Sequence, residues 1–142
     1  MTKRSDVITE ARKYLGVKWR HQGRNKNGLD CAGLIVTVAN TLGLSDHDDR
    51  RYSRRPDGSF AQAFTDGGMI RIPVQEAQEG DVLLFAESSH VCHAGFLADK
   101  RGEPSVIHAH ALRRMVLEET LEDAQPVIRR PTHAFRFPGL ED

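Results

Sequence analysis

Five short apolar runs in the second half of the chain constrain its fold most strongly. They follow a turn signal at Gly80 and Asp81, and turn-forming stretches such as DKRGEP (99–104) separate them. The runs are VLLFA (82–86), HAGFLA (93–98), SVIHAHA (105–111), RMVLE (114–118) and HAFRF (133–137). Apolar runs of this length at hairpin spacing are typical of consecutive antiparallel strands. The sequence therefore predicts an antiparallel meander of about five strands.

Two helices are predicted before this sheet. Ser5 or Asp6 can cap the first helix, which Gly16 ends. Its apolar positions recur at helical spacing: Val7, Ile8, Ala11 and Leu15. The second helix has the stripe Cys31, Leu34, Ile35, Val38 and Leu42, which Gly43 closes. The β-branched run IVTV (35–38) would also suit a buried strand, but the length of the segment favours a helix.

The remaining segments lack a long period. Residues 18–29 (KWRHQGRNKNGL) indicate a loop that leads to Asp30, and residues 45–79 an ordered insertion lining a cleft. Within the insertion a short helix is predicted around Phe60, Ala61, Ala63 and Phe64. Helices first and strands later indicate an α+β domain, and a length of 142 residues fits one domain, 1–142.

Charge and cysteine content exclude several classes of function. Lysine plus arginine equals aspartate plus glutamate at twenty each, so nucleic acid is a poor first partner. No apolar stretch suits an export signal or membrane insertion, and we expect synthesis in the cytoplasm. Only two cysteines occur, Cys31 and Cys92, which is no framework for a disulfide-rich fold.

Cys31 is the candidate nucleophile because it begins the second predicted helix. Free backbone N–H groups and the positive end of the helix dipole would lower its thiol pKa and could also bind an oxyanion. Gly33 would leave room for a substrate backbone. The alternative is that Cys31 only fills the core. Asp30 is the expected helix cap under both interpretations.

A cysteine nucleophile needs a base and a residue that orients it. His93, His108 and His110 lie in predicted strands, and neighbouring strands could pair His93 with a residue of the next strand. His108 and His110 share a face, so spacing alone does not choose between them. Zinc is the competing interpretation, since His90 and Cys92 are nearby, but the ligand spacing of structural zinc sites is missing. No metal or other cofactor is therefore predicted.

Several sequence blocks together resemble a known family. They are DCAGLI (30–35), GDVLLF (80–85), HAGF (93–96) and VIHAH (106–110), in an order that spans most of the chain. These blocks resemble the NlpC/P60 cysteine peptidases. WRHQGR (19–24) and FRFPG (135–139) are most similar to the subgroup found in bacteriophage tails and gene-transfer modules.

The resemblance implies a papain-like α+β fold that hydrolyses amide bonds in peptidoglycan stem peptides, with γ-D-glutamyl-diamino acid endopeptidase specificity. It implies Cys31 as nucleophile, His93 as base and His108 as the third residue. Two departures stand out: Trp19 replaces a common active-site tyrosine, and Ala32 replaces the motif's serine. The first removes a hydroxyl contact and offers indole stacking instead.

Substrate contacts are predicted in the loops around the nucleophile. Stem peptides carry carboxylates that arginine forks bind, and Arg20, Arg24, Arg54 and Arg55 are the candidates. The other candidate contacts are Trp19, His21, Gln22, Asp30 and Ala32.

Three biological settings fit these expectations. The first is a virion-associated hydrolase that opens the wall during phage DNA entry, with phage tail proteins as partners. The second is a structural tail-tip protein that has lost turnover. The third is an interbacterial amidase effector.

Overall fold

The computed structural model describes residues 1–53, 57–87, 90–125 and 128–142. Arg54 and Arg55, two of the candidate substrate contacts, lie outside the described residues. The helices are α1 (Arg4–Arg12), α2 (Cys31–Thr41), α3 (Phe60–Asp66) and α4 (Leu121–Ala124). The strands are β1 (Arg24–Asn25), β2 (Gly28–Leu29), β3 (Ile70–Ile72), β4 (Val82–Glu87), β5 (His90–Lys100), β6 (Glu103–His110), β7 (Met115–Thr120) and β8 (Pro131–Arg136).

The first predicted helix is present, but both of its ends differ from the prediction: it ends at Arg12, four residues before Gly16, and its N-cap is a different residue. Lys3 occupies the N-cap position, and the carboxylate of Asp6 in the first turn accepts a hydrogen bond of 2.8 Å from the Lys3 backbone N–H. The prediction that Ser5 or Asp6 is the N-cap is therefore wrong. Leu15 lies beyond the helix and is 44% exposed, whereas Tyr14 is buried in its place.

The second predicted helix is confirmed as α2, with Cys31 as its first residue. Asp30 is the N-cap, and its side chain accepts a hydrogen bond of 2.7 Å from the Gly33 N–H. Leu34, Ile35 and Val38 of the apolar stripe are buried, whereas its end residues Cys31 and Leu42 are partly buried. Gly43 follows the helix with φ of 71°, a value that favours glycine. The helix therefore holds Cys31 at a fixed, capped end.

The predicted meander is confirmed from β4 to β7, but the sheet is larger than expected. Its six strands run in the order β3-β8-β4-β5-β6-β7, and the neighbours in β4 to β7 are antiparallel. The last strand, β8, lies between β3 and β4. β3 was missed because its three residues, Ile70–Ile72, are too few for a periodic pattern.

Both faces of the sheet are covered. Phe96 and Ile107 belong to the larger core, which also contains the buried residues of α1 and α2. Phe85 and Val106 belong to a second, smaller core together with Ala124 of α4. His108 shares its face of β6 with Val106 by alternation, so it lies on the smaller-core side of the sheet.

Gly95 allows β5 and β6 to approach closely where the histidines lie. A Cβ atom at this position would meet the Cγ2 of Val106 and would come within 2.9 Å of the Cβ of His108. The HAGF block therefore requires glycine for strand packing.

Within the described ranges, no helix is long and apolar enough to span a bilayer.

Candidate active site

His93 on β5 and His108 on β6 are joined by a direct hydrogen bond. The Nε2 atom of His93 lies 2.7 Å from the Nδ1 atom of His108, and both side chains are buried. Because Nε2 of His93 is committed to His108, Nδ1 is the ring nitrogen that remains for another partner. The pair therefore has the connectivity of a base and its orienting residue.

The hydrogen-bond chain continues beyond His108. Its Nε2 atom lies 2.9 Å from a carboxylate oxygen of Glu119 on β7, and the other oxygen lies 3.0 Å from the Arg113 guanidinium. Sequence reasoning missed Glu119 and Arg113. The register between β6 and β7 is what could have identified Glu119. Glu119 pairs with Val106, two residues from His108, and so lies on the same face of the sheet as His108.

His110 packs against the pair without joining its hydrogen bonds. Its ring centroid lies 4.9 Å from that of His93 in an edge-on arrangement. The backbone N–H of Leu112 donates to His110 Nδ1 at 3.1 Å. The buried Nε2 has no hydrogen-bond partner in the described part of the chain, although Glu87 Oε1 lies 3.6 Å away. Of the two β6 histidines, only His108 is bonded to His93.

The sulfur of Cys31 lies against the backbone that flanks His93. It donates a weak hydrogen bond of 3.8 Å to the carbonyl oxygen of Cys92. The backbone N–H groups of Ala94 and Ala32 also interact with the sulfur and favour its thiolate form. Among the described residues, the hydrogen bonds of this sulfur run to the main chain and not to the His93 ring.

The expectation of a lowered Cys31 pKa is wrong. Burial raises the pKa of the Cys31 thiol to about 12, and the carboxylate of Asp30 raises it further because it repels the thiolate. These effects outweigh the two backbone N–H groups and the helix terminus. Cys31 is therefore a neutral thiol at rest.

Both hydrogen-bonded histidines are neutral as well. Burial, followed by the neighbouring His108 and His110, holds the pKa of His93 well below its ordinary value. Burial lowers the pKa of His108 to about 4, although Glu119 opposes this shift. Each neutral ring has one donor and one acceptor nitrogen, so the direction of each hydrogen bond matters.

Asp30 connects the segments around the nucleophile. Its carboxylate accepts hydrogen bonds from the backbone N–H groups of Gly33 and Gln22, both at 2.7 Å. It also accepts from the Tyr52 hydroxyl at 2.6 Å and the Arg24 guanidinium at 3.1 Å. The residue is 3% exposed, so Asp30 serves the internal structure of the protein.

A family comparison agrees with this geometry. The sequence model of the NlpC/P60 family matches residues 16–127, which include Cys31, His93, His108 and Glu119. The chain belongs to the NlpC/P60 family. No curated protein sequence is similar enough to the chain to count as a match.

Solved structures share the fold of this NlpC/P60 chain at low sequence identity. The NlpC/p60 domain of the peptidoglycan hydrolase SagA has 19% identity and a TM-score of 0.68, over 95% of this chain and 99% of that one. An NlpC/P60 family protein from Bacillus cereus has 21% identity and a TM-score of 0.69, over 96% of this chain but 40% of that one. An N-acetylmuramoyl-L-alanine amidase from Bacteroides uniformis has 11% identity and a TM-score of 0.64, over 93% and 96%. The predicted papain-like α+β fold is confirmed.

The predicted substrate contacts of the NlpC/P60 chain divide into two groups. Arg24 and Gln22 are engaged internally: Arg24 bonds Asp48 and Tyr52 as well as Asp30, and the Gln22 amide donates to the carbonyl groups of Arg50 and Tyr52. The others lie nearer the surface: Trp19, His21 and Ala32 are partly buried and Arg20 is exposed.

The structure also bears on the space beside Gly33 and on metal binding. The space that a Gly33 side chain would fill holds the carbonyl oxygen of Gly23, so the prediction that this space admits a substrate backbone is wrong. Over the described ranges, no group of three histidine, cysteine or acidic residues is arranged to hold a metal ion.

A largely apolar cavity of about 320 Å³ lies between α2 and α3, with Ala32 in its wall.

Replacing Asp30 tests its structural role. We expect Asp30→Ala to lower the free energy of unfolding by about 3–5 kcal/mol, because the change removes a helix cap and leaves the buried Arg24 guanidinium without this carboxylate. Urea denaturation measures the change. Asp66→Ala, which removes an exposed carboxylate, should stay within about 0.5 kcal/mol. Equal losses in both variants would contradict the role.

The raised pKa of Cys31 predicts how the alkylation rate of its thiol depends on pH. In a Cys92→Ser background, the rate of iodoacetamide alkylation should rise about tenfold per pH unit from about pH 6 to about pH 9, because the thiolate fraction grows at that slope below the pKa. Stopped reactions analysed by mass spectrometry give the rates. A plateau across neutral pH would instead indicate a resting thiolate.

Proposed function

We propose that this NlpC/P60 chain is a cysteine-type hydrolase of amide bonds in peptidoglycan stem peptides. The observation that carries the proposal is the buried His93–His108 hydrogen bond beside the strand segment that Cys31 contacts. Family membership and the shared fold of a peptidoglycan hydrolase and an amidase support the substrate class. Cys31 acts as nucleophile, His93 as base and His108 as its orienting residue.

The reaction begins with a proton transfer between two neutral groups. The Cys31 sulfur turns from the Cys92 carbonyl toward Nδ1 of His93, one peptide further along the strand, and gives up its proton there. The thiolate then attacks the amide carbonyl carbon of the substrate. A neutral resting pair requires this transfer to accompany substrate binding, because separate charges are costly in a buried site.

The later steps use the same groups in reverse. Backbone N–H groups at the start of α2 stabilise the oxyanion of the tetrahedral intermediate. The protonated His93 gives its proton to the departing amine, so the C–N bond breaks and an acyl-thioester with Cys31 remains. Water then attacks the thioester, His93 accepts a proton from it, and the released Cys31 sulfur recovers that proton.

The surface around Cys31 suggests how a stem peptide binds. Arg20 is the exposed arginine among the described candidates and suits a carboxylate of the peptide, whereas Arg24 is occupied by Asp30 and Asp48. The Trp19 indole offers an apolar face to the peptide. Resemblance to the NlpC/P60 cysteine peptidases, and not these contacts, supports the γ-D-glutamyl-diamino acid bond as the cleavage site, and we include that bond in the proposal.

Digestion of purified peptidoglycan tests the function. We expect the wild-type protein to release peptide fragments with new diamino-acid amino termini, which mass spectrometry identifies. Cys31→Ala should release none, and His93→Ala should slow release at least about 100-fold because the general base is lost.

Two matched controls accompany this experiment. Cys92→Ser removes the other thiol, and His133→Ala removes a histidine of β8 outside the candidate site. Both should digest peptidoglycan at close to the wild-type rate. A folded wild-type protein that releases no fragments would contradict the proposal and favour a structural tail-tip role.

The same proposal includes delivery by a phage or phage-derived particle. Its support is the similarity of segments 19–24 and 135–139 to the phage-type subgroup. We expect an antibody against the purified protein to detect the chain in gradient-purified particles induced from the source strain. Particles that contain tail proteins but not this chain would contradict the virion assignment without affecting the proposed hydrolase activity.

A further inference from the structure

The hydrogen-bond chain from His93 ends at a carboxylate that the proposed mechanism has not used. We propose that Glu119, held by Arg113, is a positioning residue that fixes the tautomers of His108 and His93 and so presents the lone pair of His93 Nδ1 to Cys31. The proposal rests on the proposed function for its catalytic meaning. The order of atoms along the chain, however, can be tested without any substrate.

The argument starts at the carboxylate, which can only accept hydrogen bonds. His108 Nε2 lies 2.9 Å from a Glu119 oxygen, so Nε2 must carry the proton that is donated there. A neutral imidazole with a proton on Nε2 has its lone pair on Nδ1. His108 Nδ1 is therefore the acceptor in the contact with His93.

The same rule then fixes the second ring. Because His108 Nδ1 accepts at 2.7 Å, His93 Nε2 must donate and carries the proton. The lone pair of His93 consequently lies on Nδ1, the nitrogen that a base needs free. One carboxylate thus determines the protonation pattern of both rings.

Burial leaves each ring nitrogen in these hydrogen bonds with one partner and so fixes the protonation pattern. His108 is fully buried and His93 is 5% exposed, so neither ring can exchange its partner for bulk water. Burial also lowers the pKa of both rings, which keeps them neutral at rest. Besides Glu119 and Arg113, the titratable neighbours are His110, which packs on both rings, and Glu87, which lies beside His110. Neither neighbour offers His108 another acceptor at hydrogen-bond distance among the described residues.

Arg113 completes the arrangement from the turn between β6 and β7. Its guanidinium contacts Glu119 Oε1 at 3.0 Å, while Oε2 faces His108, so the two oxygens have separate partners. The ion pair holds the carboxylate in the orientation that places Oε2 at His108. When His93 accepts the Cys31 proton at Nδ1, the positive charge of its ring is stabilised along the chain by Glu119, and no proton leaves His108.

The test replaces the acceptor with a group of the same shape. In Glu119→Gln, Arg113 favours the amide oxygen, so the amide NH₂ turns to His108 Nε2 and forces that atom to accept. The His108 proton then moves to Nδ1, and His93 must place its own proton on Nδ1. Glu118→Gln is the matched control, because Glu118 is the adjacent strand residue and bonds Ser105 and Arg12 instead.

Imidazole ¹⁵N–¹H correlation spectra distinguish the two tautomers directly. We expect His93 and His108 to carry their protons on Nε2 in the wild type and in Glu118→Gln, and His93 to carry it on Nδ1 in Glu119→Gln. Peptidoglycan digestion by Glu119→Gln should lose on the order of 100-fold in kcat with KM almost unchanged, because the base is blocked while binding surfaces remain.

The outcomes separate this inference from the proposed function. A wild-type His93 with its proton on Nδ1, or a His93 tautomer that is the same in Glu119→Gln, would overturn the positioning role. The wild-type spectrum decides the question even if a variant fails to fold. A wild type that has the expected tautomers but does not digest peptidoglycan would contradict the hydrolase proposal alone.

Discussion

The site depends on the hydrogen bonds that the buried carboxylate of Asp30 accepts. Its four hydrogen bonds connect the start of α2, the loop at Gln22, the Arg24 guanidinium and the Tyr52 hydroxyl of the insertion. Hydrogen bonds to a charged group are strong in a buried setting, and leaving a buried partner unpaired is costly. These hydrogen bonds fix the first turn of α2, which contains the nucleophile Cys31.

The same carboxylate has a chemical effect on Cys31. A helix terminus favours a thiolate by an amount that is modest compared with the cost of burying a charge. Here burial and Asp30 act together against ionisation, and the pKa of Cys31 rises to about 12. The site therefore begins from a neutral thiol and neutral imidazoles, and its charges develop during the reaction. Such a site protects the sulfur from random electrophiles until a substrate is bound.

Local patterns predicted much of the fold. The apolar stripe from Cys31 to Leu42 predicted α2, and the four apolar runs between Val82 and Glu118 predicted β4 to β7 close to their observed positions. The position of β8 could not be predicted, because strand order depends on long-range pairing. The site was predictable where residues have a motif, as at Cys31. Glu119 has no motif, and only the β6–β7 register brings it to His108.

The placement of β8 has a consequence for biosynthesis. Among the described strands, β3 pairs with β8 alone and β8 covers one side of β4, although about 60 residues separate β3 from β8 along the chain. While the ribosome is still making this intervening stretch, the meander from β4 to β7 can form, but one edge of β4 stays open. An open edge invites pairing with other chains. Pairing of residues 131–136 with β4 closes that edge, so β8 removes a surface on which another chain could add a strand.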